Sequence, residues 1–153
     1  MNRGIDLSSG GTLRTGGDVL LTGTGSSVAS GKYNAGIYLN RALVEGTNLI
    51  IRGTGGGGSD NNDGFRMLGG GLRGTLDLEG RALGTTTGRL NVGVYLYGVD
   101  LGLALGSITG EGGGGVGLNH GIFMQGGVAF GGTTTGTAGT GIRSEAKAGT
   151  GFA

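Results

Sequence analysis

Apolar and polar residues alternate in a six-residue unit that recurs five times along the chain. The unit reads Asn-x-Gly-apolar-x-apolar, and its copies begin at Asn2, Asn34, Asn62, Asn91 and Asn119, at intervals of 32, 28, 29 and 28. Apolar residues two positions apart are typical of a β-strand, and a steady period of this length indicates stacked repeats. The pattern predicts an all-β fold, a parallel β-solenoid of about five turns with 28 to 30 residues per turn.

Stacking these hexads would align their fourth and sixth residues into two inward columns of apolar side chains. The fourth-position column consists of Ile5, Ile37, Phe65, Val94 and Ile122. The sixth-position column consists of Leu7, Leu39, Met67, Leu96 and Met124. The fifth position varies freely, as an outward position would, and its residues are Asp6, Tyr38, Arg66, Tyr95 and Phe123.

A second apolar run follows each of the first four hexads and ends in a glycine. These glycines, at positions 23, 53, 80 and 110, recur at intervals of 30, 27 and 30 and so track the hexads. The run predicts a second strand in each turn, whose inward column consists of Leu21, Ile51, Leu78 and Ile108. The same alignment puts Arg52 beside Glu79, and we expect an ion pair across neighbouring turns that contributes about 0.2–1 kcal/mol.

Shorter apolar patches around Leu13, Leu43-Val44, Leu72 and 101–103 predict a third side between the two strands. In the fifth repeat, the second strand is expected at Val128-Ala129-Phe130. Residues 1–132 are therefore predicted to form the solenoid, and residues 133–153 an irregular last turn or tail that is a candidate stacking surface.

The first residues of the hexads predict a ladder of asparagines at one corner. Each carboxamide would bond to the next asparagine or to the backbone of the neighbouring turn. Asparagine also tolerates left-handed backbone geometry and closes local turns, so the alternative is that these are only turn residues. The residues concerned are Asn2, Asn34, Asn62, Asn91 and Asn119.

Glycine accounts for 43 of the 153 residues, so collagen and a disordered chain must be considered as alternatives to the solenoid. The chain has no proline and no three-residue glycine period, which excludes collagen. Disorder is the rival, because so much glycine makes ordering costly in backbone entropy. The glycines lie between alternating apolar runs, where tight turns need them, and this favours the solenoid.

The charge pattern narrows the list of partners. Eleven Lys and Arg balance ten Asp and Glu without a dense basic cluster, so nucleic acid is not an expected partner.

No apolar run approaches the 18 or so residues of a membrane span. The chain has no cysteine, which excludes disulfides and thiolate metal sites. Met1 is followed by Asn-Arg-Gly instead of the apolar core of a signal peptide. We therefore expect either a mature or excised segment of an exported protein or a chain that never needed export.

Few residues are candidates for chemistry. Asp77 and Glu79 share a strand face and are expected to be a solvated pair, not a catalytic one, since catalytic carboxylates must flank a cleft. The single histidine, His120, is expected to be a corner residue. Gly55 to Asp60 resembles half of a calcium-binding nonapeptide, so Asp60 and Asp63 are weak calcium candidates, with a plain turn as the alternative. No other cofactor is expected.

Aromatic side chains on the outward positions predict a contact face. Exposed aromatics in a row can stack on sugar rings or pack against another copy of the protein, and the alternative is a set of isolated surface aromatics. The face consists of Tyr38, Arg66, Tyr95, Tyr97 and Phe123.

The unit Asn-x-Gly-Ile-x-Leu, followed by Leu-x-Ile-x-Gly-Thr-Gly, resembles the repeats of large secreted bacterial adhesins of the filamentous-haemagglutinin type, especially glycine-rich cyanobacterial ones. The resemblance covers residues 2 to about 132. It implies rod-like stalks and a structural or adhesive role outside the cell or on its surface. The chain differs from that family by its short length and by having no counterpart of the secretion-signal domain.

Together these patterns predict a non-catalytic structural protein. Strand edges at the ends of a solenoid need a cap or a partner, and no amphipathic capping helix is evident, so we expect head-to-tail stacking into a filament, sheath or adhesive stalk. The alternative is a carbohydrate-binding adhesin module that presents Tyr38, Arg66 and Tyr95 to polysaccharide. A polysaccharide-lyase-like enzyme comes third, and would need acidic and basic groups converging in a cleft.

Overall fold

The chain is a parallel β-solenoid, as the sequence predicts. A computed structural model describes residues 2–27, 31–84, 88–102, 105–128 and 130–137, and within these ranges it contains strands and no helix. The strands are β1 (Ile5–Leu7), β2 (Thr12–Arg14), β3 (Val19–Thr24), β4 (Ile37–Asn40), β5 (Leu43–Thr54), β6 (Phe65–Leu68), β7 (Gly71–Arg81), β8 (Val94–Tyr97), β9 (Gly106–Glu111), β10 (Ile122–Gln125) and β11 (Thr133–Thr137).

The hexads form the first sheet, with strand order β1-β4-β6-β8-β10. Every pair is parallel, and the register joins equivalent residues of successive hexads: Ile5 pairs with Ile37, Ile37 with Phe65, Phe65 with Val94, and Val94 with Ile122. Five rungs, making four complete turns, are thus stacked without a register slip. The alternation of apolar and variable residues therefore falls on the same faces throughout the sheet.

The second sheet carries the two remaining sides of each turn. Its order is β11-β9-β7-β5-β2, and β3 also pairs with β5. The long strands β5 and β7 each run along both sides. Their register shifts by one residue between Glu45 and Asn48, so the third side joins the second at a bulge. On the third side Leu13 pairs with Val44 and Val44 with Leu72.

The core is made of the predicted inward columns. Ten of these fourteen side chains are buried, and the four that are only partly buried lie on the first and last described turns, which have a described neighbour on one side only. Those four are Ile5, Leu7, Leu21 and Met124. The third side adds Val44, Leu72 and Leu101, all buried. Residue 103 lies outside the described residues.

The second strand of the fifth turn lies further along the chain than the sequence predicts. The strand is β11, in which Thr134 pairs with Ile108 and Gly136 with Gly110. Val128 and Phe130 belong to no strand, although both pack against the core, and Ala129 lies outside the described residues. The prediction of Val128-Ala129-Phe130 was wrong because the second strand keeps the spacing from its hexad that the earlier turns have: Thr134 follows Met124 by 10 residues, as Leu78 follows Met67 by 11. At an end turn, the inward position tolerates a threonine that is only half buried. The repeats thus continue through residues 133–137, while 138–153 lie outside the described residues.

Glycines make the corner between the second strand of one turn and the hexad of the next. A Cβ on Gly53 would lie 2.7 Å from the carbonyl carbon of Gly64, and one on Gly80 would lie 2.7 Å from that of Gly93. Real side chains do not approach a backbone this closely. A Cβ on Gly64 would in turn clash with the backbone nitrogen of Arg81, so the third-position glycine of the hexad and the closing glycine of the second strand are each required by a backbone contact at this corner.

The described residues include no helix that is long and apolar enough to cross a membrane.

Candidate functional site

The hexad asparagines form a hydrogen-bonded ladder along one corner of the solenoid. The backbone N–H of each asparagine donates to Oδ1 of the asparagine one turn ahead: Asn2 to Asn34 (3.0 Å), Asn34 to Asn62 (3.3 Å), Asn62 to Asn91 (3.1 Å) and Asn91 to Asn119 (3.0 Å). All except Asn2 are buried. These side chains are thus more than turn residues.

The carboxamide nitrogens extend the ladder. Nδ2 of Asn34 donates to Asn62 Oδ1 (3.0 Å), and Nδ2 of Asn62 donates to Asn91 Oδ1 (3.1 Å). Nδ2 of Asn91 instead donates to the carbonyls of Ser59 and Gly114. Because every bond between asparagines points from one turn to the next, the ladder has a direction that runs from the first turn to the last.

Left-handed backbone geometry occurs one residue before three of the ladder asparagines. Tyr33 (φ 64°), Asn61 (54°) and Leu90 (57°) each immediately precede a ladder asparagine. At these three corners the left-handed residue is the one before the asparagine, and the asparagine itself contributes the side-chain hydrogen bonds between turns.

The outward residues of the hexads form a stacked column on the face of the first sheet. The guanidinium carbon of Arg3 lies 3.5 Å from the ring centre of Tyr38, and that of Arg66 lies 4.3 Å from the ring centre of Tyr95. The rings of Tyr95 and Phe123 stack with centres 5.0 Å apart, and His120, which is buried, stacks on Phe123 at 5.6 Å. Cation–π and ring stacking along the column therefore bind successive turns together.

Of the predicted contact face, the structure places four residues in one column and one beside it. Tyr38, Arg66, Tyr95 and Phe123 are half-buried and pack along the column. Tyr97 lies two residues further along β8, pairs with Gln125, and is 49% exposed. The ring faces within the column are thus largely covered by its own members, and Tyr97 is the most exposed aromatic of the set.

A buried carboxylate under the column was not anticipated. Asp63 is fully buried, accepts the N–H of Val92 at Oδ1 (2.9 Å), and pairs with Arg66 through Oδ2 (2.8 Å). Burial raises the pKa of Asp63 to about 6, against the opposing effect of Arg66 and the Val92 N–H. Asp63 occupies the variable second position of its hexad, so repeat position alone gave no signal that it would be buried.

Calcium at Asp60 and Asp63 stays a prediction. Asp60 pairs with Lys32 (2.8 Å) and accepts the N–H of Arg89 (2.8 Å), and these bonds lower its pKa. Both carboxylates thus already have cationic and N–H partners. Within the described ranges, no group of three or more His, Cys, Asp or Glu side chains is placed to hold a metal ion.

The expected ion pair of the second strand is present, and it includes a second carboxylate that was not predicted. Arg52 Nε lies 3.3 Å from Glu79, and the same guanidinium also pairs with the Asp77 carboxylate and bonds the Asp77 carbonyl (2.8 Å). The hydrogen bond from Arg52 lowers the pKa of Asp77. Both carboxylates that share this face are therefore held by one cation.

Other ion pairs also connect neighbouring turns. In each, one partner lies about one turn of the solenoid beyond the other along the chain. On the exposed faces such pairs contribute little each, but they favour the observed register over a slipped one. They are Arg14–Glu45, Lys32–Asp60, Arg73–Asp100 and Arg81–Glu111.

The two end turns leave strand edges without a described partner. On the first turn β1 pairs only with β4, while β2 and β3 pair only with β5. On the last turn β10 pairs only with β8, and β11 only with β9. At this last turn Nδ2 of Asn119 is buried and has no hydrogen-bond partner among the described residues.

Comparison with known proteins found no family model, no curated protein and no solved structure that matches this chain.

Proposed function

We propose that this protein is a structural, non-catalytic solenoid that associates with itself head to tail to form a filament, sheath or stalk. The observation that carries the proposal is that all turns stack in one parallel register. Each turn therefore presents one edge to the turn before it and the complementary edge to the turn after it. A second molecule can continue the stack without a new mode of contact.

The backbone hydrogen bonds show that every pair of successive hexads meets in the same way. The N–H of Ile5, Ile37, Phe65 and Val94 each donates to the carbonyl of the third hexad residue one turn ahead, at 2.9 to 3.1 Å. Within the described residues this series ends with the bond donated by Val94 to Gly121. Unpaired strand edges are templates for pairing with another chain.

The apolar columns support the same association. Ile5, Leu7 and Leu21 on the first turn, and Met124 on the last, are inward residues that remain partly exposed. Stacking a second copy would complete these columns and remove apolar surface from water, at about 25 cal/mol per Å² buried. Open solenoid ends otherwise require capping elements.

An extracellular or cell-surface setting belongs to the same proposal. It rests on the resemblance of the repeats to those of secreted adhesins.

The test is sedimentation velocity and light scattering of the full chain at rising concentration, with negative-stain electron microscopy of the same samples. We expect rods of constant width whose length grows with concentration. A monodisperse monomer over the whole concentration range would refute self-association.

A pair of matched variants identifies the surface involved. Leu7→Lys places a charge in an inward column at the open edge, so it should abolish growth. Leu20→Lys adds the same charge on the same turn, at a side chain that faces outward and is 67% exposed, so it should leave growth unchanged. Circular dichroism reports whether each variant stays folded. Equal growth of both variants would show that the first turn is not the contact.

Carbohydrate binding is the second candidate, and the exposure of Tyr97 is the observation that favours it. A half-exposed tyrosine ring can stack on a sugar. A glycan array would test it, with loss of binding expected in Tyr97→Ala and retention in Leu20→Ala. The lyase-like enzyme gains no such support, because Asp77 and Glu79 share Arg52 as their cation.

A further inference from the structure

The last rung of the asparagine ladder has a donor without an acceptor among the described residues. Asn119 is 1% exposed, and its Oδ1 accepts the N–H of Asn91, but its Nδ2 has no hydrogen-bond partner there. A buried polar group left unpaired destabilises a structure, so most such groups in proteins find a partner. This amide therefore points to a missing acceptor.

The ladder shows which acceptor is missing. For Asn34 and Asn62, Nδ2 donates to Oδ1 of the asparagine one turn ahead. Nδ2 of Asn34 also donates to the carbonyls of Gly31 and Gly57, and Nδ2 of Asn91 donates to those of Ser59 and Gly114, so the asparagine oxygen is the acceptor that continues the ladder from turn to turn. The backbone N–H of Asn119 also differs from the other ladder residues, since it donates to Gly117 in its own turn (3.0 Å). The position ahead of Asn119 would be filled by the carboxamide oxygen of another asparagine.

The sequence ahead of Asn119 does not supply that oxygen at the repeat distance. Adding the ladder's intervals of 28 to 32 to position 119 places the next ladder position between 147 and 151, where the chain reads Lys-Ala-Gly-Thr-Gly. No asparagine occurs between Asn119 and Ala153.

The first rung has the complementary feature. Asn2 donates its backbone N–H to Asn34 Oδ1, but its own side chain is exposed and Oδ1 receives no donor from the described residues. Among the described residues, the first rung of the ladder therefore offers an acceptor, Oδ1 of Asn2, and the last rung offers a donor, Nδ2 of Asn119.

We propose that Asn119 of one copy donates its Nδ2–H to Oδ1 of Asn2 in the next copy, so that the ladder continues through the junction between molecules. This inference rests on the head-to-tail association proposed above and specifies its register. Ile122 would then lie against Ile5 of the next copy, Phe123 against Asp6, and Met124 against Leu7, in the same register that relates successive hexads within the chain.

The first test removes the acceptor. Asn2→Ala keeps the backbone N–H that bonds Asn34, so the monomer should remain folded, whereas association should weaken by at least about tenfold. Asn48→Ala is the control, because Asn48 bonds Asp18 on an exposed face and lies outside the ladder. The readout is the concentration at which half the protein is assembled, with the melting temperature measured for each variant.

The second test reads the register directly and does not depend on the strength of one hydrogen bond. The chain has no cysteine, so Asp6→Cys with Phe123→Cys introduces one thiol at each end. Within one molecule these positions are four rungs, about 19 Å, apart, but across the proposed junction they are about 4.8 Å apart, within the range for a disulfide. Mild oxidation should give covalent oligomers that are lost on reduction.

Asp6→Cys with Gln125→Cys is the matched control. It shifts one thiol by two residues along the same face and should yield few covalent oligomers.

The outcomes separate this inference from the one on which it rests. If the unmodified chain stays monomeric, head-to-tail association itself fails. If the chain assembles, while Asn2→Ala assembles equally well and the two cysteine pairs cross-link alike, association stands and the ladder junction is overturned. Weakened assembly of Asn2→Ala together with selective cross-linking of residues 6 and 123 supports the junction.

Discussion

The buried asparagines at one corner of the solenoid hold successive turns together by hydrogen bonds, as the apolar residues of the core do by packing. Each takes the N–H of one turn on its carboxamide oxygen, and Asn34 and Asn62 also pass an amide hydrogen to the next turn. Burying a carboxamide is costly unless its hydrogen bonds are made, so these residues tolerate one stacking register only. The ladder therefore contributes specificity as well as stability.

The ladder predicts a large effect for one substitution. Asn62→Ala removes the oxygen that accepts both the N–H and an Nδ2–H of Asn34, and it removes the Nδ2 donor to Asn91. The buried N–H of Asn34 then has no acceptor, whereas its Nδ2 keeps the carbonyls of Gly31 and Gly57. We expect the free energy of unfolding to fall by about 2–4 kcal/mol, measured by urea denaturation. Asn48→Ala, at an exposed asparagine, should change it by no more than about 0.5 kcal/mol. Equal effects would argue against the ladder.

Asp63 predicts an unusual pH dependence. Burial raises its pKa to about 6 in the folded protein, from an ordinary value of 3.8, so the folded state favours the protonated acid. The stability that this group contributes is full below about pH 4 and is lost as pH rises through about 6, a change of about 3 kcal/mol.

The comparison that isolates this effect is with Asp63→Asn, which keeps an oxygen for the N–H of Val92. Asp60 and Asp77, whose pKa values are lowered by their hydrogen bonds, act in the opposite direction at low pH in both proteins. Relative to the variant, the wild-type protein should lose stability between pH 4 and pH 7 in denaturant titrations. Parallel pH profiles would show that Asp63 does not titrate as described.

At the scale of the strands, glycine is required where two elements cross. The end of each second strand lies against the start of the next hexad, and Gly53 and Gly64 meet backbone to backbone there. A side chain on either would separate the two sheets. The high glycine content of this chain is thus partly a packing requirement between strands, in addition to its use in turns.

Gly64→Ala tests this packing. A Cβ there would lie 2.6 Å from the carbonyl carbon of Gly80 and 2.7 Å from the carbonyl oxygen of Gly93, so the backbone must move. We expect a loss of about 3 kcal/mol or more in unfolding free energy, or failure to fold. Gly16→Ala meets nothing within 4 Å and should be close to neutral. A stable Gly64→Ala protein would contradict the close approach.

Much of the strand register could be predicted because the repeat carries it. Equivalent hexad residues pair with one another, and the pairing of Arg52 with Glu79 follows from the same alignment. The prediction was wrong at the fifth turn because it followed the apolar run at Val128 and Phe130, whereas Thr134 takes the inward position. Among the described residues this turn has a neighbour on one side only, so its inward positions are less strictly apolar.

The candidate surfaces were harder to predict than the strands. Outward positions were recognised from their variability, but variability does not show that Arg66 would lie on the ring of Tyr95 or that Asp63 would be buried beneath it. The contact between the two glycine columns depends on how two sheets cross. None of these features follows from periodicity, because each depends on residues from different sides of a turn.

At the scale of the whole molecule, stability is carried by contacts between turns, so a turn at the end should contribute less than one at the centre. Leu78 and Leu21 belong to the same inward column, but Leu78 is fully buried and Leu21 is only partly so. In dilute monomer, Leu78→Ala should cost about 2–5 kcal/mol and Leu21→Ala clearly less. Urea denaturation measures both. Equal costs in the monomer would show that the first turn is already covered.

The central claim is that residues one turn apart in sequence are neighbours in space. Leu68 and Tyr97 are paired in the first sheet, so Leu68→Cys with Tyr97→Cys should form an intrachain disulfide under mild oxidation, detectable by mass spectrometry of dilute protein. Asn40→Cys with Tyr97→Cys, two turns apart, should not. Efficient closure of the first pair alone is the predicted result, and failure of that pair or equal closure of both would contradict the stacked solenoid.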